Sequence, residues 1–230
     1  LLKHASVKYL LLEKVLFQSI EDYWKAKELI DSNNIKVWVN CPRRMFEFYG
    51  SIKLKLNKTS AMVMTVNGGN WGLACNAIHF IDILSFLTDS KVITVSTAGL
   101  EQKTHPSKRK GCIEIFGRLD VTFSNGHRLI LNCSHDNAPI DINITSREGE
   151  YKIDEVKGSI LLNDKQMSID VFIKYQSELT RLVVEQALTS GKTKLTSFDE
   201  SCDQHIPLIQ SLLLFYNRTK NLETTILPIT

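Results

Sequence analysis

The sequence predicts an α+β protein in which a short βαβ unit precedes a large, mostly antiparallel open sheet covered by helices on one face. Two observations support this class. A strand–helix–strand pattern occupies the first 41 residues, and from Val92 to about Val171 short β-rich runs alternate with turn signals. The chain has 230 residues, of which 43% are hydrophobic and 23% charged, so it is long enough and apolar enough for a sizeable core.

The βαβ unit is predicted from three consecutive patterns. Residues 7–14 form a continuous apolar run that ends in a charged pair, as a buried strand does. Apolar residues then recur at helical spacing from Ile20 to about Ser32, after a capping pattern, and residues 35–39 form a second buried strand. Because the connections are short, we expect parallel strands whose carboxyl ends, with Lys14 and Asn40, form the functional edge.

A domain boundary is predicted near Pro42, which interrupts this pattern and divides the chain into residues 1–41 and 42–230. A helix follows from Arg43 to about residue 56. Residues 60–67 alternate as a strand does, Gly68 and Gly69 end this strand, and residues 73–87 form an apolar helix.

The remainder of the chain predicts the sheet and two closing helices. β-rich runs begin at residues 92, 112, 128, 140, 158 and 168, and their spacing indicates an antiparallel meander. Several runs alternate apolar and polar residues, so we expect one face to be covered by helices and the other to be exposed or paired with another subunit. Helical patterns at 175–188 and 197–217 close the chain.

Several classes of function are disfavoured by the motifs. The glycines never form G-x-G-x-x-G, and the P-loop, H-E-x-x-H and G-x-S-x-G patterns are absent. No metal site is predicted, because Cys133-x-His135 and Cys202-x-x-His205 each offer only two ligands. The basic run at 103–110 has no interleaved aromatic residues, so a solvated loop is favoured over a nucleic-acid surface.

The expected location is the cytoplasm, without a membrane span. Charged residues interrupt every apolar run before it reaches the roughly 18 to 20 residues that a membrane helix needs. The five cysteines are odd in number and scattered, which favours free thiols in a reducing compartment.

His79 and Lys14 are the candidate catalytic residues. His79 lies with Asp82 on the polar side of its helix, where Asp82 could orient the imidazole; a surface histidine paired with a neighbour is the plain alternative. Lys14 ends a buried strand, where a lysine also often extends to solvent. The apolar side of the same helix is expected to face the core and consists of Leu73, Ala77, Phe80, Ile81, Leu84 and Leu87.

The order of these features resembles the Gfo/Idh/MocA family of NAD(P)-dependent oxidoreductases. The matching segments, in chain order, are Glu13-Lys14-Val15, the helix from Ile20, VWVN with Cys41-Pro42-Arg43-Arg44-Met45, the Gly-Gly turn with the His79-x-x-Asp82 helix, and the closing Ser-Phe-Asp-Glu helix. The resemblance implies that residues 1–41 are the tail end of a Rossmann-type nucleotide-binding domain whose start is missing. Residues 42–230 then form a substrate-binding and oligomerisation domain.

The resemblance also implies a mechanism. Lys14 would bind the reacting hydroxyl and, with Glu13, the cofactor ribose region, while His79 would accept the hydroxyl proton. Asn76, Arg43 and Asp82 are expected to contact the substrate, a sugar or sugar-nucleotide. The full-length protein would use NAD or NADP, which this fragment by itself is not expected to bind well. A homodimer formed through the sheet is the expected assembly.

The chain departs from the family pattern at two positions close to these residues. Val15 stands where the family has proline after the lysine, and Cys75 stands one turn before His79, where an acidic residue is common. Asn76 then remains as a neutral ligand. These departures keep open an alternative from another class, a non-catalytic sugar-binding or oligomerisation module derived from such an enzyme.

Overall fold

A computed structural model describes residues 5–56, 60–168 and 175–230. The chain begins with strand β1 (Tyr9–Leu12), helix α1 (Ile20–Ser32) and strand β2 (Lys36–Val39). β1 and β2 pair in parallel, which confirms the βαβ unit. β1 is shorter than predicted and only half-buried, because it lies at the edge of its sheet.

The segment after β2 is less regular than the sequence predicts. Instead of one helix from Arg43, a single 3₁₀ turn spans Pro42–Met45 and helix α2 spans Glu47–Lys55. The two are separated by Phe46, whose backbone is extended (φ −74°, ψ 118°) and whose side chain is buried. This break places Arg43 and Arg44 on a tight turn at the carboxyl end of β2.

Strand β3 (Val63–Gly69) leads into helix α3 (Leu73–Thr88) through a turn at Gly72, which adopts a left-handed conformation with φ +78°. A residue with a Cβ would be strained there, so glycine suits this position. The predicted apolar side of α3 is buried as expected. The opposite side is largely buried too, because α3 packs between the large sheet, α2 and a later helix.

The large sheet takes most of the remaining strands. Their bounds are β4 (Val92–Leu100), β5 (His105–Pro106), β6 (Ile113–Glu114), β7 (Gly117–Phe123), β8 (Arg128–Ser134), β9 (Asp141–Ser146), β10 (Gly149–Asp154), β11 (Ser159–Leu162) and β12 (Lys165–Gln166). Within the described residues, eight strands form it in the order β12-β11-β10-β9-β3-β8-β7-β4, and β5 pairs with β6 in a separate short ladder.

The sheet is mostly antiparallel, as predicted, but it is not a simple meander. β3 enters between β8 and β9 and runs parallel to β8, which is the one parallel pair among the described strands of this sheet. The sequence pattern also missed β10 and joined β6 to β7 as one run. The strand predicted at 168–173 falls almost entirely outside the described residues.

Two helices close the chain: α4 (Gln176–Ser190) and, after the short strand β13 (Thr196–Ser197), α5 (Phe198–Lys220). The Ser197 hydroxyl accepts a hydrogen bond from the Glu200 amide and so caps α5. β13 pairs antiparallel with β2, giving a three-stranded sheet in the order β1-β2-β13. The small sheet therefore draws residues from both sides of the boundary predicted at Pro42.

The two faces of the large sheet differ. Apolar side chains such as Met64, Leu119 and Leu131 are buried beneath α3 and α5, while the opposite face carries half-buried and polar residues such as Thr65 and Asn132. Helices therefore cover one face, as predicted. In the described ranges, no helix combines the length and apolarity that a membrane crossing requires.

Candidate active site

Lys14 lies directly against the amino-terminal turn of α3. Its Nζ donates a hydrogen bond of 2.6 Å to Asn76 Oδ1 and one of 3.0 Å to the carbonyl oxygen of Cys75. The Asn76 amide in turn donates to the carbonyl oxygen of Trp71 at 2.7 Å, which fixes its orientation. The end of β1 and the start of α3 are thus joined by side-chain hydrogen bonds, and the ammonium group is held one helical turn before His79.

His79 is mostly buried on the same helix. Burial, together with the positive charges of Arg43 and Lys14, lowers the pKa of its imidazole to about 3. The Nδ1 atom is buried and has no hydrogen-bond partner among the described residues. His79 is therefore a neutral imidazole at physiological pH with one ring nitrogen left for a ligand.

A second histidine, His205 of α5, lies near this site. Its ring is 5.9 Å from that of Tyr23 on α1, and the charge of Lys14 also acts on it. Burial lowers the pKa of His205 to about 4. No sequence signal connects this residue with the site, since it is far along the chain and occurs in a helix-spaced Cys-x-x-His pattern.

Asp82 has a different place from the one predicted. Its side chain is 0% exposed, and its carboxylate accepts hydrogen bonds from Arg44 Nε at 2.8 and 3.0 Å. Burial raises the pKa of Asp82 to about 6, and the Arg44 guanidinium opposes that rise. A carboxylate without exposed surface does not contact a substrate, so the predicted substrate contact is corrected to a structural ion pair. Because Asp82 is paired with Arg44, it does not hydrogen-bond the His79 ring.

Arg43 is held in an ion pair that the sequence does not predict. Its guanidinium donates two hydrogen bonds to Glu155, at 2.7 and 2.9 Å, and lies 4.4 Å from the centre of the Phe80 ring. The Tyr49 hydroxyl donates to the same carboxylate at 2.9 Å. The bidentate pair uses two of the five guanidinium donors and holds Arg43 against Glu155, so its predicted contact with the substrate stays a prediction. Its charge also acts on His79 through space.

Glu13 is exposed at the end of β1, where the βαβ pattern placed it. Its carboxylate accepts a hydrogen bond of 2.6 Å from the buried Asn40 amide, at the end of β2. The carboxyl ends of the two parallel strands are thus connected beside Lys14, as the predicted functional edge requires.

Glu114 is a functional candidate that the sequence reasoning missed. Its Oε1 accepts a 3.0 Å hydrogen bond from the Ala74 amide and so caps α3, which has no capping side chain of its own. The carboxylate is close enough to Cys75 that, together with burial, it raises the pKa of that thiol, while Lys14 opposes the effect. A carboxylate from β6 therefore lies beside the position where the family pattern has an acidic residue on the helix itself.

A cleft of about 570 Å³ opens next to the start of α3. Trp71, Cys75, Glu114, His105 and His135 line it, whereas Lys14 and His79 do not. Lys108, from the basic run at 103–110, also lines it. The run is mostly exposed, as a solvated loop is, and one of its lysines borders the cleft.

Solved structures share this fold over most of their length. UDP-N-acetylglucosamine 3-dehydrogenase GnnA from Acidithiobacillus ferrooxidans matches with a TM-score of 0.67 and 11% identity, over 88% of this chain and 69% of its own. An oxidoreductase from Agrobacterium radiobacter, in complex with NAD+, L-tartaric acid and magnesium, matches with a TM-score of 0.65 and 16% identity, over 90% and 71%. No protein-family model matches the sequence, and no curated protein matches it either.

The fold is not confined to oxidoreductases. A super-repressor mutant of Gal80p from Saccharomyces cerevisiae matches with a TM-score of 0.62 and 13% identity, over 90% of this chain and 70% of its own. These likenesses confirm that the chain has the fold of Gfo/Idh/MocA-type oxidoreductases, as the order of its sequence features predicts. At such low identity, these matches establish the fold only. The chemistry has to be inferred from the residues of the site.

Proposed function

We propose that this chain, which has the Gfo/Idh/MocA-type fold, is the carboxyl-terminal, substrate-binding part of an NAD(P)-dependent oxidoreductase acting on a hydroxyl or ketone of a sugar or sugar-nucleotide. The observation that carries the proposal is the contact of Lys14 with Asn76 and Cys75, one turn before a mostly buried histidine whose Nδ1 has no partner in the described part of the chain. A cation and an imidazole brought to the same helix turn from distant segments are the kind of pair that alcohol oxidation needs.

Lys14 would stabilise the developing alkoxide. An ammonium group has three N–H donors, and Asn76 and Cys75 accept two of them, so one remains for a substrate oxygen. Because the two fixed acceptors hold Nζ in place, the third donor is oriented before the substrate arrives. Preorganised charge of this kind acts most strongly where charge appears in the transition state.

His79 would accept the hydroxyl proton. It is neutral because burial, Arg43 and Lys14 keep its pKa near 3 in the free chain. An anionic ligand beside Lys14 and Arg43 would offset these positive charges and raise the pKa of His79 towards neutrality. A bound anionic substrate would therefore make His79 a stronger acceptor for the proton that leaves the hydroxyl.

A bound nicotinamide would supply the hydride acceptor, since no side chain performs that chemistry. Glu13 and Lys14, at the carboxyl end of β1, are the residues of this chain that would hold its ribose. The remaining donor of Lys14 fits a hydroxyl group placed against this edge. The glycine-rich phosphate-binding turn does not occur in the sequence.

The cleft supports a sugar or sugar-nucleotide as substrate. Its volume of about 570 Å³ is within the range usual for small-molecule sites. Trp71 provides an apolar wall and Lys108 a positive charge that suits a phosphate group. The match to a UDP-N-acetylglucosamine 3-dehydrogenase is consistent with a substrate of this class.

The test is to measure reduction of NAD+ or NADP+ by the protein that carries this chain, with sugars and sugar-nucleotides as substrates. Lys14→Met and His79→Ala should each lower kcat by at least about 100-fold, the usual contribution of an oriented acid–base or electrostatic group. Lys91→Met is the matched control, because the Lys91 side chain is 78% exposed and pairs with Asp203 on the surface of α5. Wild-type kcat in both variants would contradict the proposal.

A second candidate function, a non-catalytic sugar-binding module, is favoured by one observation. A histidine with a pKa of about 3 is a weak base, and Cys75 replaces the acidic residue of the family pattern. The repressor that shares the fold shows that the fold also occurs in a regulator. Calorimetric titration separates the two functions, since a binding module would bind a sugar but show no nicotinamide-dependent turnover.

A further inference from the structure

We propose that Glu101, His105 and His135 bind a divalent transition metal ion of the zinc type at the cleft. The site goes beyond the proposed oxidoreductase function and does not depend on it. The three side chains come from separate segments: Glu101 directly follows β4, His105 begins β5 and His135 directly follows β8. Their spacing along the chain forms no recognisable motif, which is why the sequence predicted no metal site.

The candidate metal-ligand atoms already lie close together. His135 Nε2 lies 2.7 Å from Glu101 Oε1, His105 Nε2 lies 3.6 Å from Glu101 Oε2, and one ligand atom from each residue falls within 4.8 Å of the others. In a tetrahedral zinc site with bonds of about 2.0–2.2 Å, ligand atoms are roughly 3.3 Å apart. The observed separations lie on both sides of that value, so small side-chain rotations suffice to enclose an ion.

The surroundings hold these side chains in position. The Phe116 ring stacks on His135 with 4.0 Å between centroids and meets His105 edge-on at 5.0 Å. The Glu101 amide donates a 3.0 Å hydrogen bond to the Phe116 carbonyl oxygen. This bond holds the backbone of Glu101 beside the backbone of Phe116. A site on rigid, mutually packed elements loses little entropy when it binds an ion.

Gly69 allows the turn that carries His135 to approach. A Cβ at Gly69 would lie 2.3 Å from the Asp136 carbonyl oxygen, closer than any side chain permits. The glycine at the end of β3 thus brings the His135 turn against the start of α3. This close approach places the three ligands in the same cleft as Cys75.

A buried histidine nitrogen without a hydrogen-bond partner also supports a ligand at this position. His105 Nε2 is buried and has no hydrogen-bond partner in the described ranges, since its 3.6 Å separation from Glu101 is too long for a hydrogen bond. Buried polar atoms rarely stay unpaired, and a metal ion would satisfy this one. Lys103, the neighbouring cation 3.7 Å from Glu101, is mostly exposed and can move away at little cost.

Two imidazoles and one carboxylate are a ligand set for zinc and related divalent ions, and catalytic sites of this kind keep one position open. Both histidines line the cleft, so an open position there would accept a hydroxyl, carboxylate or phosphate oxygen of a bound molecule. The chemical class of that ligand is an oxygen anion or a sugar hydroxyl.

The test uses the chain freed of metal by a chelator and titrated with Zn²⁺ or Co²⁺ alone. We expect one equivalent of Zn²⁺ to bind by calorimetry, and Co²⁺ to give the visible absorption of a four-coordinate imidazole site. His135→Ala and His105→Ala should each weaken binding by at least about 100-fold, because even hydrogen-bond partners of metal ligands account for 10–100-fold.

Two controls separate this site from other binding. Glu148→Gln removes an exposed carboxylate in the turn between β9 and β10 and should leave binding unchanged. Cys75→Ser removes the thiol that lines the cleft and should also leave binding unchanged. The absence of saturable binding, unchanged binding in both histidine variants, or loss of binding in Cys75→Ser would each overturn the proposal. These readouts need no enzymatic turnover, so failure here leaves the oxidoreductase proposal to its own test.

Discussion

Two neutral histidines near one lysine set the electrostatics of the site. His205 is completely buried, and its Nδ1 lies 2.9 Å from the Ser201 carbonyl oxygen, which identifies Nδ1 as the protonated nitrogen. The charge of Lys14 disfavours protonation of both His205 and His79. Lys14, the cation proposed to stabilise an alkoxide, thus also helps to keep His79 and His205 uncharged. Both imidazoles therefore remain proton acceptors.

His205 makes the stability of the protein sensitive to acid. Burial lowers its pKa from 6.5 to about 4, so between these pH values the unfolded chain binds a proton that the folded chain does not. Stability is therefore unaffected above pH 6.5 and falls as the pH drops towards 4, by up to about 3 kcal/mol from this residue.

The measurement is the free energy of unfolding in urea as a function of pH, for the wild type and for His205→Gln. The variant should lose less stability than the wild type between pH 6.5 and 4. Because Asp82 and the other acidic groups titrate in both proteins, their contributions cancel in the comparison. Parallel curves would show that His205 does not titrate as its burial requires.

At the scale of secondary-structure elements, Arg44 connects three parts of the fold. It lies on the 3₁₀ turn after β2, pairs with Asp82 in the middle of α3, and pairs with Glu200 in the first turn of α5 at 2.7 Å. Arg44 and Asp82 are 7% and 0% exposed, whereas the Glu200 side chain is 44% exposed. One guanidinium therefore holds the βαβ unit, the site helix and the closing helix together.

The two carboxylates that share Arg44 should differ in their effect on stability. Asp82→Asn leaves a buried guanidinium without its buried counter-charge and should lower the free energy of unfolding by roughly 3 kcal/mol or more. Glu200→Gln, at the exposed end of the same arginine, should cost about 1 kcal/mol or less. Urea denaturation of both variants is the measurement, and equal losses would contradict the assigned burial.

At the scale of the whole molecule, the large sheet has one face covered by helices and one face open. Ile130 lies near the middle of the open face, in register with Thr65 on β3 and Asp120 on β7. Alternate residues of β3, β7 and β8 on this side are half-buried, whereas their neighbours are buried beneath the helices. A broad open face with a few apolar side chains suits a second copy of the chain, so we propose a dimer formed through this face.

Ile130→Glu tests the proposed dimer. A charge in the centre of a symmetric interface meets its own copy, so the variant should sediment as a monomer while the wild type sediments as a dimer. Its free energy of unfolding at low concentration should change by only about 0.5 kcal/mol, as for other open positions. Glu148→Lys, in the turn after β9, is the control and should stay dimeric. Unchanged sedimentation of Ile130→Glu would place the interface elsewhere.

Much of the local structure could be predicted from the sequence. α1 has the bounds that its capping serine and apolar spacing indicate, and α3 differs by one residue at its carboxyl end. Parallel pairing of β1 and β2, whose carboxyl ends share one edge, also follows from the βαβ pattern, whereas the contact of Lys14 with the start of α3 was implied only by the family resemblance. In each case the signal is a repeat or a cap within a few residues, and such signals are readable along the chain.

The sequence by itself determined the fold class and the βαβ unit, and the family resemblance implied that Lys14 lies near the helix of His79. Only the tertiary structure decided that Asp82 and Arg43 are held in ion pairs, that β3 enters the sheet between β8 and β9, and that Glu101, His105 and His135 form one cluster. The physical reason is that helix periods and caps are local, whereas an ion pair or a ligand set depends on which distant segments pack together. Packing is decided by the burial of the whole core, which no short pattern records.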